Sequence, residues 1–321
     1  MKDTDVATAH PIVANVGKFQ NPDITADGSP RARVAFSDPQ TIWFNTGTLC
    51  NITCVNCYID SSPTNDALVY LTADEVTAYL DELDGLSWSV REIAFTGGEP
   101  FMNPDMCAMA LAALERDYEV LILTNAMLPM MRPAVRSELQ ALNAEFGDKL
   151  TLRISLDHWS ESAHDEMRGK GSFKRTINGM EWLRDNGLRM AVAARSLWNE
   201  TDAQTRAGFA ALFAEHDFDI DAQNPATTVI FPEMDESVEV PEITTACWDI
   251  LGKSPQNVMC ASSRMVVKRK GEAPSVVACT LLPYDREFDL GPTLDGATRD
   301  VALNHPHCAK FCVLGGASCS V

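Results

Sequence analysis

Positive charge is scarce in this chain of 321 residues: 26 Lys and Arg stand against 45 Asp and Glu, a formal net charge of −19. Such a balance repels phosphate backbones and anionic lipid surfaces, so neither nucleic acid nor a membrane is expected as a partner. Long apolar runs are also missing: nothing approaches the roughly 18 residues that a membrane-spanning helix needs. The first residues, 1–17, lack an apolar stretch ahead of a small-residue cleavage site and do not read as an export signal, so the expected location is cytoplasmic. No self-similar period of some 20–50 residues is visible, which excludes a solenoid. What remains is ordinary globular usage, 45% hydrophobic and 22% charged. A chain of this length makes one large domain or two modest ones, with a core that needs no disulfide staples.

Cysteine is the residue present in unusual number, 10 in all. In a reducing compartment clustered cysteines bind metal or do redox work more often than they form disulfides.

Residues 1–40 are rich in Asp, Pro, Gly and Ala without a sustained period, and read as an N-terminal extension, part disordered and part draped on the domain. From Thr41 short β-rich apolar runs alternate with helical patterns. The expected strands are 41–45, 92–95, 119–123, 150–156, 190–194 and 227–231, and the expected helices 72–84, 104–116, 131–146, 172–186 and 201–216. Two helices open on capping boxes, Thr72 with Glu75 and Thr201 with Gln204. Serial strand–helix units imply parallel strands with right-handed crossovers, in a doubly wound sheet or a barrel. Six units are too few for a full eight-stranded barrel. In either architecture the chemistry belongs at the C-terminal ends of the strands. The alternation stops near Pro232. Two further strands, 265–267 and 276–278, bracket a Gly- and Pro-containing turn at 269–274 and read as a hairpin.

The strongest single signal is Cys50-Asn-Ile-Thr-Cys54-Val-Asn-Cys57, placed in the loop after the first strand. Three thiolates so close together can wrap one iron–sulfur cluster and leave one iron without a protein ligand. A structural zinc is the competing reading. It needs a fourth donor, and the run itself has none; Asp60 is a weak candidate.

The spacing C-x3-C-x2-C in this position resembles that of the radical S-adenosylmethionine (radical SAM) superfamily. Thr96-Gly97-Gly98-Glu99-Pro100 resembles that family's GGEP segment, which binds the amino group of the methionine moiety. Thr124-Asn125-Ala126 is similar to its T-N-G, and Ser155-Leu156-Asp157 to its S-[IL]-D, whose Ser and Asp lie near the cofactor. His164-Asp-Glu-Met-Arg168-Gly169 looks like the H-D-x-x-R-G that often follows. These motifs occur in order, each after a different strand. In one respect the chain departs from the pattern: Asn56 stands where the family has an aromatic residue beside the adenine, and Tyr58 follows the third cysteine instead, so no adenine contact is assigned.

The resemblance implies a partial TIM-type (β/α)6 barrel over residues 41–235. It implies a [4Fe–4S] cluster on Cys50, Cys54 and Cys57, with S-adenosylmethionine held by Gly97, Gly98, Glu99, Asn125, Ser155 and Asp157. Arg195 is the candidate for the methionine carboxylate, since a guanidinium fork fits both oxygens, with Arg168 second; a salt bridge to an acidic side chain is the competing role. The implied activity is reductive cleavage of the cofactor to a 5′-deoxyadenosyl radical that modifies an organic substrate. The electron would come from a flavodoxin- or ferredoxin-like reductant. A small molecule is favoured over a peptide, because 40 residues before the core are too few for a leader-binding domain. The alternative from another class is a non-catalytic iron–sulfur or zinc scaffold or electron carrier, which has no use for the strand-end motifs.

Six of the ten cysteines lie beyond residue 235. Cys260 and Cys279 bracket the hairpin, and Cys308, Cys312 and Cys319 return from a long loop. Residues 236–321 therefore resemble a SPASM/twitch-type extension, which implies a second, auxiliary iron–sulfur cluster on four of these five. Zinc with help from His305 or His307, and unliganded buried thiols, remain open. Cys247 is a possible sixth member and Cys107 reads as a core residue. Trp159, Trp198 and Trp248 are candidates for a substrate pocket or for core, and Arg264, Lys268, Arg269 and Lys270 for a basic stripe meeting an acidic substrate or a reductant, or for a solvated hairpin edge.

Overall fold

The six expected runs all form strands, because each is apolar on both faces and so gains from being covered on both sides. A computed structural model describes residues 17–233 and 238–316. The elements in chain order are β1 (Arg33–Val34), β2 (Thr41–Asn45), α1 (Ala73–Asp84), β3 (Glu92–Thr96), α2 (Met106–Leu114), β4 (Glu119–Thr124), α3 (Pro133–Phe146), β5 (Leu150–Ser155), α4 (Glu161–Arg168), α5 (Ser172–Asp185), β6 (Arg189–Arg195), α6 (Asp202–Glu215), β7 (Thr228–Phe231), α7 (Cys247–Leu251), β8 (Ser263–Val267), β9 (Ser275–Val277), β10 (Asp289–Gly291) and β11 (Val301–Ala302), followed by a π-helix, Cys308–Leu314. Both capping boxes form: the Thr72 hydroxyl accepts from the Glu75 N–H, and the Thr201 hydroxyl from the Gln204 N–H. The helix α4 was not expected; its polar sequence buries only Ala163, His164 and Met167.

One nine-stranded sheet runs β10-β9-β8-β2-β3-β4-β5-β6-β7. Strands β2 to β7 are parallel in serial order, and β8 adds to the free edge of β2, also parallel. The hairpin β8–β9 is antiparallel, and β10 extends it. The sheet is not closed, since β10 and β7 are its two edges. It is the open α/β form of a partial TIM barrel. Ile42, Trp43, Phe44, Ile93 and Phe95 are all buried at its centre. Each such side chain contributes about 1.5–3 kcal/mol.

The β8 pairing makes the hairpin part of the main sheet: Thr41 lies opposite Ser263, and Phe44 opposite Val266. The segment 17–40 drapes as expected. Its β1 pairs with β11, and the buried guanidinium of Arg31 meets Glu242. Residues 1–16 lie outside the described part.

Most of the basic stripe is not a surface feature; Lys270 alone of the four is exposed. Arg264 is fully buried, Lys268 pairs with Glu75 at 2.6 Å, Arg269 with Asp289 at 2.6 Å, and Lys270 with Asp66. Three of these cations pair with carboxylates and the fourth is buried, which removes the docking reading for most of their charge and leaves Lys270 with Asp66 as a solvated edge. The tryptophans also serve packing. Trp159 stacks on His158 at 4.8 Å and covers Gly208, and Trp198 meets the same histidine ring at 4.5 Å.

Candidate active site and a second cysteine cavity

A cavity of about 150 Å³ opens at the C-terminal ends of the parallel strands. Cys50, Cys54 and Cys57 line it, together with Gly97, Gly98, Asn125, Ser155, Asp157 and Arg195. The triplet and the residues at the ends of β3, β4, β5 and β6 thus face one space. Arg168, Tyr58, Thr96 and Arg153 line it too. Arg153 was missed in the sequence, although it lies two residues before Ser155 on the same strand and so shares its face. Leu281 and Phe311 reach the cavity from beyond residue 235.

The glycine pair has a reason in the chain itself. A Cβ on Gly98 would stand 2.3 Å from the Leu49 carbonyl oxygen, and one on Gly97 (φ 147°) 2.5 Å from that of Gly47. Two backbone bonds cross at this point, Gly98 N–H to Gly47 C=O at 2.9 Å and Glu99 N–H to Leu49 C=O at 3.1 Å. The β3 loop therefore lies flat against the segment that leads into Cys50, and any side chain would push the two apart. The triplet loop is held at other points as well. Cys50 N–H donates to Ser62 C=O at 3.0 Å, and Val55 N–H to Met167 C=O, at the end of α4, at 2.8 Å.

Glu99 stands apart from the other expected cofactor residues: it is 2% exposed and does not line the cavity. Its Oε1 accepts from the Thr124 hydroxyl at 2.8 Å and the Phe101 N–H at 3.2 Å, and its Oε2 from the Asn125 N–H at 2.9 Å. Burial pushes this carboxyl up to about 7 against the pull of those three donors. The side chain works as a strut between the β3 and β4 ends. The strut fixes Asn125, whose amide donates to Asn51 Oδ1 in the triplet loop at 2.9 Å. Next to it Ala126 takes a left-handed φ of 57°, at the position where the motif it resembles has glycine.

Asp157, 1% exposed, is clamped in a two-bond pair by Arg168, Nε to Oδ2 at 2.8 Å and Nη2 to Oδ1 at 2.9 Å. Burial works to lower Arg168, yet it is raised above its usual value, chiefly by the Asp157 charge. Arg195 lines the cavity, but its donors are engaged: Nη1 reaches Val55 C=O at 3.1 Å, and Nη2 pairs with Glu233 at 3.3 Å. Asn56 also donates to Glu233, at 2.9 Å. The salt-bridge role foreseen for both arginines is therefore present, and it ties the triplet loop to β6 and to the residues after β7.

The donor set fits a cluster with three protein thiolates. Burial pushes Cys50 up to about 12 and raises Cys54, so without a metal both stay neutral thiols. Metal binding takes such groups as thiolates, with Arg168 beside them as counter-charge.

A second cavity, of about 20 Å³, lies under the hairpin. Cys260, Cys279, Cys308 and Cys312 line it, with Val258, Met259, Phe288, Val301 and Leu303. Cys308 and Cys312 are four residues apart in the π-helix. Burial lifts Cys260 to about 12 and Cys308 well above its usual value, with the neighbouring cysteines raising both further. Four thiols converge, which fits a fully ligated cluster. Neither His305 nor His307 lines this cavity. Cys247 is elsewhere, its sulfur accepting from Thr244 N–H at 3.4 Å, and Cys107 sits in α2 within the core. Cys319 lies outside the described residues. Among the described residues no three or more His, Cys, Asp or Glu side chains are grouped to hold a single metal ion. The two cysteine sets ring cavities instead, as the wider ligand spread of a polynuclear cluster requires.

Residues 44–197 match the model of the radical SAM superfamily. The subtilosin biosynthesis protein AlbA of Bacillus subtilis is 30% identical over 184 residues, 56% of this chain and 38% of that protein. An AdoMet-dependent heme synthase of Methanosarcina barkeri is 29% identical over 147 residues, 46% of this chain and 39% of its own. The mycofactocin maturase MftC of Mycolicibacterium smegmatis is 30% identical over 139 residues, 43% and 33% respectively. The chain thus spans less than half the length of each of these relatives. Among solved structures, Streptococcus suis SuiB bound to S-adenosylmethionine superposes with a TM-score of 0.58 at 14% identity, covering 79% of this chain and 63% of that one. The anSMEcpe enzyme with bound AdoMet gives 0.59 at 15% identity, covering 85% and 83%. No helix among the described residues is long and apolar enough to cross a membrane. The matched segment carries the triplet and every strand-end residue from Gly97 to Arg195, so residues 44–197 form a radical SAM domain, of a superfamily whose cofactors are a [4Fe–4S] cluster and S-adenosylmethionine.

Proposed function

We propose that this chain cleaves S-adenosylmethionine reductively and uses the resulting radical to modify an organic substrate. One observation carries the reading: three thiols and the polar ends of β3 to β6 line a single cavity. A scaffold or simple electron carrier has no use for that convergence. Cys50, Cys54 and Cys57 would hold a [4Fe–4S] cluster, which would supply one-electron chemistry to the bound cofactor. The chain's own residues then position the cofactor. Backbone at Gly97 and Gly98 receives its ammonium, and Glu99 holds the Asn125 turn rather than the ligand. Asn125, Ser155 and the Asp157–Arg168 pair form the wall on the β4 and β5 side. Arg195 lies within the cavity to take a carboxylate in exchange for Glu233. Leu281 and Phe311 add apolar cover from the C-terminal region, and cover of that kind keeps water from a reactive intermediate.

Cys260, Cys279, Cys308 and Cys312 hold the auxiliary cluster in this reading. A flavodoxin- or ferredoxin-like protein is the electron donor. The relatives' names divide the substrate between peptides, in subtilosin and mycofactocin maturation, and tetrapyrroles, in heme synthesis. Anaerobic reconstitution with iron and sulfide, followed by assay for 5′-deoxyadenosine with dithionite as electron donor, tests the activity. Formation in the intact chain, and none in a Cys50→Ala/Cys54→Ala/Cys57→Ala variant, is the expected result. Equal formation in both would overturn it.

A further inference from the structure

Arg264, in β8, is fully buried, yet no carboxylate among the described residues lies within 4.0 Å of it. Its hydrogen bonds all go to backbone carbonyls: Nε to Ala297 at 2.8 Å, Nη1 to Cys260 at 2.6 Å and Ser263 at 2.8 Å, and Nη2 to Arg299 at 3.4 Å. One face of the guanidinium lies on the Phe36 ring, 3.9 Å from its centroid. Carbonyl dipoles and a ring face soften the burial of a cation, but they do not neutralise it, and an uncompensated buried charge is costly. The guanidinium lies against the second cavity: its Nη1 bonds the backbone of Cys260, one of the four cysteines that line it.

We propose that Arg264 is the built-in counter-cation of the auxiliary iron–sulfur centre, held against the cysteine quartet to balance its thiolate charge and to raise its reduction potential. The inference rests on the reading of Cys260, Cys279, Cys308 and Cys312 as cluster ligands. A cluster on four thiolates carries net negative charge, and reduction adds one more. A fixed cation in a low-dielectric setting stabilises the reduced form more than the oxidised one. The cation stays in place through its carbonyl bonds, so it is a positioned charge and not a ligand.

The test uses the full chain carrying Cys50→Ala, Cys54→Ala and Cys57→Ala, so that only the auxiliary centre is read. Iron and sulfide are counted and the centre is titrated anaerobically by electron paramagnetic resonance. Arg264→Gln keeps donors for the carbonyls and loses the charge; Arg264→Lys keeps the charge and loses the fork. The glutamine variant is expected to show at least a tenfold lower ratio of reduced to oxidised centre at a fixed poise, which is about 59 mV for one electron. The lysine variant should retain most of the parent potential. A glutamine variant that loads no iron supports the inference if the lysine variant loads, and overturns it if the lysine variant also fails. An unchanged potential with glutamine, or equal shifts with both, overturns the counter-charge role while leaving the cluster in place. Failure of the parent chain to bind any auxiliary iron overturns both this inference and the reading beneath it.

Discussion

The two cysteine-lined cavities differ in donor number, wall and charge. The first has three thiols in a loop, polar strand ends, three arginines and a volume of about 150 Å³. The second has four thiols, an otherwise apolar lining and about 20 Å³. Three donors leave a coordination position for a ligand, and the larger cavity, with polar strand ends in its wall, gives that ligand room. Four donors leave none, and the tight apolar wall keeps solvent out. A reactive centre and an insulated one can thus be told apart by what surrounds the sulfurs, before any metal is considered. Their cations follow the same division. Arg168 and Arg195 are at the edge of the first cavity and paired to carboxylates, whereas Arg264 is buried beside the second with none.

The contrast can be broken most severely by removing the thiols of the first cavity. Replacing Cys50, Cys54 and Cys57 together by Ala should bring 5′-deoxyadenosine formation to background, with the circular dichroism spectrum unchanged. In the second cavity Cys308→Ala/Cys312→Ala should lower iron from about eight to about four per chain, if both centres are four-iron cubes. That variant should still make 5′-deoxyadenosine from dithionite. If activity vanished with the second iron set, the division into reactive and insulated centres would fail.

Smaller changes sharpen the comparison. Arg168→Met strands the buried Asp157 carboxylate and should lower stability by about 3–5 kcal/mol, read by urea unfolding of the metal-free chain. Glu99 gives a pH signature. Its carboxyl sits at about 7 when folded against a usual 4.5, so the folded state holds the proton longer. The corresponding stability is full below about pH 4.5, falls as pH rises towards about 7, and is flat above. Glu99→Gln should flatten that slope in unfolding curves taken between those two pH values. Glu233→Gln, which loosens the part-exposed clasp from Arg195 and Asn56, should cost no more than about 1 kcal/mol. A much larger loss in thermal melts would mean that the clasp holds the triplet loop in place.

Much of the first cavity is legible along the chain, because each of its parts is local. A strand end carries its polar residues within a few positions, and alternation along β5 puts Ser155 and Asp157 on one face. What misleads is the direction of individual side chains. Glu99 belongs to the right segment but turns inward, because three donors at Thr124, Asn125 and Phe101 wait there. Arg195 is in the right place with Glu233 already in its fork. The four cations from Arg264 to Lys270 look like a surface patch in one dimension and are individually paired or buried in three.

The sequence by itself determined the serial strand–helix order, the triplet loop, the capped helices and the hairpin, since all of these depend on contacts between residues close in the chain. Tertiary structure alone decided that β8 lies parallel to β2, across more than two hundred residues. That pairing draws Cys260 and Cys279 to the flank of the main sheet and lets the π-helix bring Cys308 and Cys312 to meet them. It also buries Arg264 beside the quartet. Such an outcome follows from which sheet edge is free and apolar once β2 to β7 have paired, a property of the assembled sheet that no local window of residues contains.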